Sequence, residues 1–448
     1  MQLKMANSNA QLTSIPEQSI LEVYFLALGQ YNYDRAKEQA EKEREAMRSA
    51  SGSASWFWVN TLGMLSRLAV AEKNYASLTY LSPKWFGKKE SMKLTYSSLV
   101  TDLGSMEQSG AGQTGQAQQT EVLLAHICDQ IRHFCEARTE TVEFYDKLCP
   151  MGNQRTDVDY GELLSTVDGL IATHGHHFHH PLLIPIKQRF TLELEVLQGL
   201  LKAHQFMLDW QFLPTLLQLH NVHSKLENLG ANIRFKEGKK SGVVIPSKAV
   251  GVPPLYQWLA RFKAAQVSKF SLYFHDSLSK QALSTSEFKG HLANLLVDHR
   301  AKIIAFSKKA DALNVSVVYD TNNAIEVFKG HGYHHPYSQH EVPTGLDSYP
   351  AIFSYPEEKP IRLWPMVVML LNSKADELTD LDRVIYSFDK TQSMTYFITR
   401  LEGRFSLVVI FNSKKSERDS YIKSFMQEMN MLLRGSNIFA SLRLGHKN

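Results

Sequence analysis

The sequence predicts an α+β protein of two domains: an all-helical bundle over residues 15–280, then an α+β sandwich over residues 285–448, behind a disordered tail at 1–14. Three observations predict that division. Apolar residues recur at three- and four-residue spacing from Ile20 almost to Leu313, the period of helices that bury one stripe. The first β-branched run, Val315-Ser316-Val317-Val318-Tyr319, comes only after that, and further apolar runs follow it. Two polar stretches, 105–120 and 231–252, interrupt the helical period with Gly, Gln, Ser and Lys, and read as flexible loops.

Along the chain, Pro16 opens a first helix carrying Ile20, Val23, Tyr24 and Leu28, which Gly29 ends. From Asp34 to Ala50 opposite charges interleave at helical spacing, the pattern of a solvated face. Ser51-Gly52-Ser53 breaks that helix, and another runs from Trp56 to Leu81. A long helix over Glu121–Leu148 carries Ile127, Ile131, Phe134, Val142 and Tyr145. On it Cys128 and Cys135 share a face; with no C-x-x-C in the chain, they read as core thiols. Asp157-Val158-Asp159-Tyr160-Gly161 resembles the start of a calcium loop, but its glycine falls one position early, so Asp157 or Asp159 is a helix cap. Leu182–Leu208 and Phe212–Leu229 form two more helices about a corner near Trp210 and Pro214. Helices resume over Pro254–Lys280 and Glu287–Leu313, and so long a succession predicts antiparallel bundle packing.

After the strand at 315–319 come the apolar runs 351–355 and 361–371, the second containing Pro365. Asp380–Phe388 reads as a helix. Thr395–Arg400 and Arg404–Phe411, joined by Leu401-Glu402-Gly403, read as a hairpin. An amphipathic helix over Ser413–Leu433 closes the pattern, and a profilin- or roadblock-like sandwich is one topology that fits.

Composition excludes several classes. At 44% hydrophobic and 21% charged the chain is an ordinary globular protein, and a formal charge of +4 gives no electrostatic case for nucleic acid or a membrane surface. No run approaches the roughly 18 apolar residues of a membrane span, and residues 1–14 lack the apolar core of a signal peptide. Three cysteines point to a reducing compartment. The expected address is cytoplasmic, with any membrane location borrowed from a partner.

The loop that most invites chemistry is Phe328-Lys329-Gly330-His331-Gly332-Tyr333-His334-His335-Pro336-Tyr337. With His174, His176, His177, His179 and His180 it holds close to half of the 18 histidines. A metal centre needs three or four converging ligands backed by carboxylates, and neither H-E-x-x-H nor D-x-H occurs. Gly330-x-Gly332 lacks the third glycine of a phosphate loop and runs into Pro336 instead of a helix. Ser277-Leu278-Ser279-Lys280 is an S-x-x-K without its companion motifs. The expectation is therefore no enzyme, no metal and no cofactor. A metal-dependent enzyme or metal-binding protein built on the histidine tracts is the alternative, and a stand-alone small-molecule sensor a third reading. The densest charge lies at Lys414, Lys415, Glu417, Arg418 and Asp419. These five, with His331, Tyr333, His334 and His335, are the candidate partner contacts, since charged loop clusters orient partners without chemistry.

Several stretches together resemble one family. They are Tyr33-Asp34-Arg35-Ala36-Lys37 with Glu41-Lys42-Glu43-Arg44-Glu45-Ala46, Ser77-Leu78-Thr79-Tyr80-Leu81, and Phe178-His179-His180-Pro181. Gly330-His331-Gly332-Tyr333-His334-His335-Pro336, Val408-Val409-Ile410-Phe411 with 413–420, and Phe439-Ala440-Ser441-Leu442 complete the set. In this order, from about Ile20 to Leu442, they resemble the KICSTOR complex subunit 2 family, formerly a domain of unknown function. Departures fall in the tail, at 105–120, at His174–His177 and at 231–252. The resemblance implies a non-enzymatic scaffold on the cytosolic face of the lysosomal membrane, held there by partner subunits. The partners it implies are the other KICSTOR subunits, including a very large scaffolding subunit, and the GATOR complex that activates GTP hydrolysis by Rag GTPases. The consequence it implies is restraint of the target-of-rapamycin kinase when amino acids or glucose run short. It carries over no catalytic residue.

Overall fold

The computed structural model describes residues 16–49, 55–82, 91–110, 117–152, 158–231, 233, 251–322, 328, 341–356 and 359–443. The chain is α+β as its periodicities predict, helical first and carrying a five-stranded antiparallel sheet in its later part. It divides into two compact units. The first is Met1–Tyr80, Gly87–Val142 and Ala172–Thr191; the second is Leu81–Phe86, Glu143–Ile171 and Leu192–Asn448.

The first unit is helical. It contains α1 (Pro16–Gly29), α2 (Tyr33–Ser49), α3 (Trp56–Ala76), α4 (Met92–Gly110), and most of α5 (Ala117–Met151). Pro16 starts α1 where its missing N–H is no loss, and Leu21, Tyr24, Phe25 and Leu28 form the buried stripe. Only Tyr33, Ala36 and Ala40 of α2 are buried, so its charged remainder stays at the surface. Helix α3 is the central one: Phe57, Trp58, Leu62, Leu65, Leu68, Ala69 and Tyr75 are all buried.

The second unit sets helices on both faces of a sheet. Its helices are α6 (Tyr160–His174) and α7 (Ile184–Leu208) for most of their lengths, then α8 (Phe212–Gly230), α9 (Pro254–Tyr273), α10 (His275–Gln281), α11 (Thr285–Ala293) and α12 (His299–Ala310). Later come α13 (Trp364–Ser373), α14 (Ser420–Arg434) and α15 (Ser436–Ala440). The strands are β1 (Asn314–Tyr319), β2 (Ala351–Tyr355), β3 (Ile385–Asp389), β4 (Met394–Glu402) and β5 (Phe405–Phe411), in the order β2-β1-β5-β4-β3. Register pairs Val315 with Val409, Val317 with Leu407 and Tyr319 with Phe405. The two-residue period sends these side chains, with Phe397 and Phe411, to one face, where Phe270, Tyr273, Ile303, Phe306 and Met426 cover them. On the other face Val318, Ile398, Val408 and Ile410 meet Trp364, Val367 and Leu371 of α13. Covering both faces is what makes β5 an almost unbroken apolar run. Gly403, at φ +40°, turns the β4–β5 hairpin.

Several local expectations are corrected. The helix expected over Asp380–Phe388 is a turn, Arg383 N donating to Asp380 O at 3.0 Å, followed by β3. Pairing of Ile385 with Ile398 and Tyr386 with Phe397 overrides the helical spacing. Of the two apolar runs, 351–355 is strand, but the other is helix α13, opened by Pro365 and burying Trp364, Val367, Val368 and Leu371 at helical spacing. The closing helix starts at Ser420, not Ser413, because Asp419 caps it. The helix expected to Lys280 breaks at Phe274 into α9 and α10, and the one expected over Glu287–Leu313 divides into α11 and α12, with Asp298 capping the latter. The loop at 105–120 is shorter than expected: α4 continues through Gly110 and α5 begins at Ala117, among good helix formers. Within the second unit Phe212, Leu219 and Phe270 share one apolar cluster with Val315, Phe397 and Phe405. The tail at 1–14, residues 111–116, most of 231–252, and 329–340 lie outside the described residues.

A Cβ on Gly152 would stand 2.0 Å from the backbone N of Ala440, whereas one on Gly169 meets nothing within 4 Å. Gly152→Ala is expected to cost about 1–3 kcal/mol through displacement of α15. Gly169→Ala, inside α6, is expected to add up to about 1 kcal/mol of helix propensity. Thermal midpoints of the two variants should move in opposite directions.

Candidate partner-binding surfaces

The charged segment 413–420 is held rigidly from beneath. Thr395 Oγ1 in β4 donates to Ser413 O at 2.8 Å and accepts from Lys415 N at 3.1 Å. Tyr386 of β3 donates its hydroxyl to Lys415 O at 3.0 Å. Lys415 turns inward: its ammonium lies 3.4 Å from Ala310 O and 4.8 Å above the Phe411 ring. Asp419 also serves the fold, accepting from Tyr421 N at 3.0 Å and Ile422 N at 3.1 Å at the start of α14. That leaves Lys414, Glu417 and Arg418 exposed on an ordered backbone. Such a loop can meet a partner without first paying the entropy of its own ordering. The other candidate contacts, His331, Tyr333, His334 and His335, lie outside the described residues.

The earlier histidine tract gathers along α5, in company with His126 and His133, which stand outside both tracts. The rings of His133 and His177 have centroids 4.8 Å apart, those of His174 and His177 5.8 Å, and those of His126 and His180 5.7 Å. Seven-residue spacing, which puts His126 and His133 on one helix face, was the available signal. Burial, then the His133 and His174 rings, lowers the pKa of His177; burial, then His126 and His179, lowers that of His180. His180 Nδ1 accepts from Leu182 N at 3.2 Å and so opens the short turn Pro181–Leu183. His174 Nε2 lies 3.0 Å from Glu140. Among the described residues no group of three His, Cys, Asp or Glu is arranged to hold a metal ion.

Two buried ionic networks are the strongest electrostatic features. In the first unit Glu72, 1% exposed, takes Arg138 Nε at 3.0 Å, Arg189 at 3.2 Å and the Tyr96 hydroxyl at 2.7 Å. Burial opposes its ionisation, but Arg138, Arg189 and the hydrogen bonds outweigh that, holding the carboxyl below its usual range. Arg138 also stacks 4.2 Å over Tyr75, and Arg189 4.5 Å over Tyr31 while donating to Leu28 O at 3.1 Å. In the second unit Glu402 of β4 pairs with Lys269 of α9, with His204 Nε2 of α7 at 3.2 Å, and accepts from Tyr273 at 2.5 Å. Lys269 and His204 outweigh burial and bring Glu402 down to about 2, while burial and then Lys269 bring His204 down to about 4.

Lys280 of the S-x-x-K pairs with Asp276 at 2.7 Å. All three cysteines are buried and none is in a disulfide. Burial pushes the Cys128 thiol up to about 12 and, with Glu72, raises Cys135 further, so neither supplies a thiolate. A crevice of about 640 Å³ beside α13 is floored by Val318, Val368 and Leu371. Its basic rim bonds to nearby backbone, Arg400 to Gly403 O at 2.6 Å and Arg404 to Asn322 O.

Comparison with known proteins extends over both units. A family described as "KICSTOR complex C12orf66 like" matches residues 12–447. The protein named "KICSTOR subunit 2" of Xenopus laevis is 41% identical over 448 residues, 98% of this chain and 99% of that protein. "KICSTOR subunit 2" of Danio rerio is 41% identical over 447 residues, 98% of each chain.

Glu72→Gln would leave two buried guanidiniums without their carboxylate, and a loss of about 3–5 kcal/mol is expected. Asp34→Asn breaks an exposed pair with Lys73 at 2.6 Å and should cost under about 1 kcal/mol. Chemical denaturation of both variants checks the contrast. Acid sensitivity follows from His204 and His299, each held at about 4, His299 by burial and then by Lys302 and Lys269. Their folded pKa lies below the unfolded value of about 6.5. Their contribution is therefore complete above about pH 6.5 and is lost as pH falls towards 4. The thermal midpoint should decline across that window, and less steeply in the His204→Gln, His299→Gln double variant.

Proposed function

The chain belongs to the KICSTOR C12orf66-like family, and from that membership we propose that it is a non-enzymatic scaffold subunit of the KICSTOR complex. The observation that carries this reading is the end-to-end match, 41% identity over 98% of the chain to relatives named KICSTOR subunit 2. The chemistry supports it. The strongest charges stabilise the interior, the Cys128 and Cys135 thiols are protonated, and Lys414, Glu417 and Arg418 stand on an ordered exposed loop.

In this reading the subunit works with other KICSTOR subunits, including a very large scaffolding one, to hold the Rag-directed GATOR complex at lysosomes. The target-of-rapamycin kinase is thereby restrained when amino acids or glucose run short. Its lysosomal address comes through partners; among the described residues no helix is long and apolar enough to cross a membrane. Lys414, Glu417 and Arg418 are assigned to a partner contact, where rim charges govern the rate and specificity of association.

The test uses cells lacking the chain, restored with wild type or with Lys414→Glu, Arg418→Glu. Wild type should co-purify with the KICSTOR subunits, return GATOR to lysosomes and restore the fall in kinase activity on amino-acid withdrawal. The charge-reversed chain should co-purify less at an unchanged melting temperature. Kinase activity that falls normally on starvation in cells without the chain would overturn the reading.

A further inference from the structure

The five-stranded sheet has two edges, and the described residues guard only one of them. At that edge β2 lies between Pro350 and Pro356, which have no N–H to offer a further ladder. Its Ile352 and Phe353 are buried in the larger apolar cluster, and the His275 ring of α10 stands 5.5 Å from Phe353. The other edge, β3, has no such guard. Ile385-Tyr386-Ser387-Phe388-Asp389 holds no proline and no lysine, pairs with β4 without a bulge, and leaves four of its five residues half-buried. Alternate residues of an edge strand turn their N–H and C=O away from the sheet. Among the described residues those outward groups of β3 meet no hydrogen-bond partner. Such a row of donors and acceptors is matched by another extended backbone, because a strand repeats them at the same period.

The two faces beside this edge differ. On one, Ile385 joins the cluster around Trp364 and Ile398. On the other, the Tyr386 ring stands edge-on to Phe397 with centroids 5.4 Å apart, and the Lys414 ammonium lies 5.5 Å over the Phe388 ring. Among the described residues Lys414 forms no ion pair. Asp389, the one carboxylate of β3, shares the face of Ile385 and accepts from Thr391 N at 2.8 Å and Gln392 N at 3.3 Å in the bend that follows. This arrangement decides between occupants. A second copy pairing β3 on β3 about a two-fold axis would set like face beside like and bring two Lys414 ammoniums to one side of one seam. Like charges so placed are destabilising, whereas an acid on the incoming strand would meet Lys414 with opposite sign.

We propose that β3 takes up an extended segment of another KICSTOR subunit as a sixth strand, its apolar residues two apart and an Asp or Glu on the side of Lys414. The inference rests on the reading of the chain as a KICSTOR subunit and adds the mode by which a partner is held. It also joins two surfaces into one. The loop that carries Lys414 is tied to the edge strand by the Tyr386 hydroxyl, which donates to Lys415 O at 3.0 Å, so one partner meets both.

The test compares the full chain alone with the full chain in the assembled complex. Hydrogen exchange at the outward amides of β3 should slow about tenfold or more on assembly. Phe388→p-azidophenylalanine is irradiated in the complex and the cross-linked peptide sequenced. The expected product is a segment of another subunit with apolar residues two apart and an Asp or Glu among them. Phe388→Lys sets a second cation beside Lys414 and guards the edge, so incorporation should fall about tenfold or more, while Phe388→Leu should retain it. Thermal melts of the free variants within a few degrees of wild type exclude misfolding as the cause. Unchanged exchange at β3, products linked only within this chain or to a second copy, or normal incorporation of a folded Phe388→Lys chain overturns the proposal. If Lys414→Glu, Arg418→Glu lowers co-purification while β3 exchange is the same free and assembled, the loop contact stands and the added strand falls. Failure of the wild-type chain to co-purify with any KICSTOR subunit is a different result, which removes the subunit reading itself.

Discussion

Glu72 reaches the interior of the first unit from α3 and meets Arg138 from α5 and Arg189 from α7, all three side chains nearly without exposure. The two guanidiniums share the Glu72 carboxylate and also meet the faces of Tyr75, Phe134 and Tyr31 and the Leu28 carbonyl. Apolar packing tolerates a sliding helix by fractions of an ångström; a buried guanidinium does not, because losing one partner exposes the full desolvation cost. This constraint therefore sets how far α1, α3, α5 and α7 have advanced along one another. Effects radiate from it: burial, then the Glu72 charge, pushes up the Tyr24 and Tyr96 hydroxyls, and Tyr96 remains a hydrogen-bond donor to the carboxylate.

The second unit carries a buried ionic set of its own. Its sheet is greasy on both faces, and two apolar layers alone would leave the helices free to choose among similar packings. Glu402, Lys269 and His204 supply the choice. One carboxylate and one ammonium cancel, and the neutral imidazole accepts from Gln266 at 3.2 Å while the Tyr160 ring stacks on it at 3.6 Å. The Tyr160 hydroxyl then passes to Arg434 O at 2.6 Å, so the polar pin ties α6, α7, α9, β4 and the end of α14 into one arrangement.

Much of this was legible in the residues. Helical periodicity located α1, α7 and α8 nearly to their ends and the start of α3, which stops at Ala76 and not Leu81, and the β-branched run of β1 and the β4–β5 hairpin were plain. Misreadings occurred where tertiary pairing or a cap decided the outcome. Residues Ile385–Asp389 look helical until β4 lies beside them, and Lys415 looks like a surface charge until Ala310 O and Phe411 are placed under it. Asp419 looks like part of a charged patch until the backbone N–H groups of Tyr421 and Ile422 are seen to point at it. The two ionic networks were invisible because their members are far apart in the chain: Glu72 and Arg189 are separated by 117 residues, and Tyr273 and Glu402 by 129. No spacing rule joins such positions. The exposed trio of Lys414, Glu417 and Arg418 was legible as a cluster, but not as a rigidly seated one.

Residues 436–443 close the second unit against positions translated much earlier. Ile438 O takes the indole N–H of Trp258 at 2.8 Å, Phe439 packs on Phe262, Ala440 presses on Gly152, and Arg443 reaches Cys149 Sγ at 3.2 Å. During synthesis the apolar seats therefore wait, wet and sticky, until a further 180 residues have left the ribosome for Trp258 on α9 and 294 for Cys149 on α5. A stop codon that removed only this short piece would leave the fold's last plug missing. Such a product would be sorted by chaperones and proteases long before any failure of assembly could be observed.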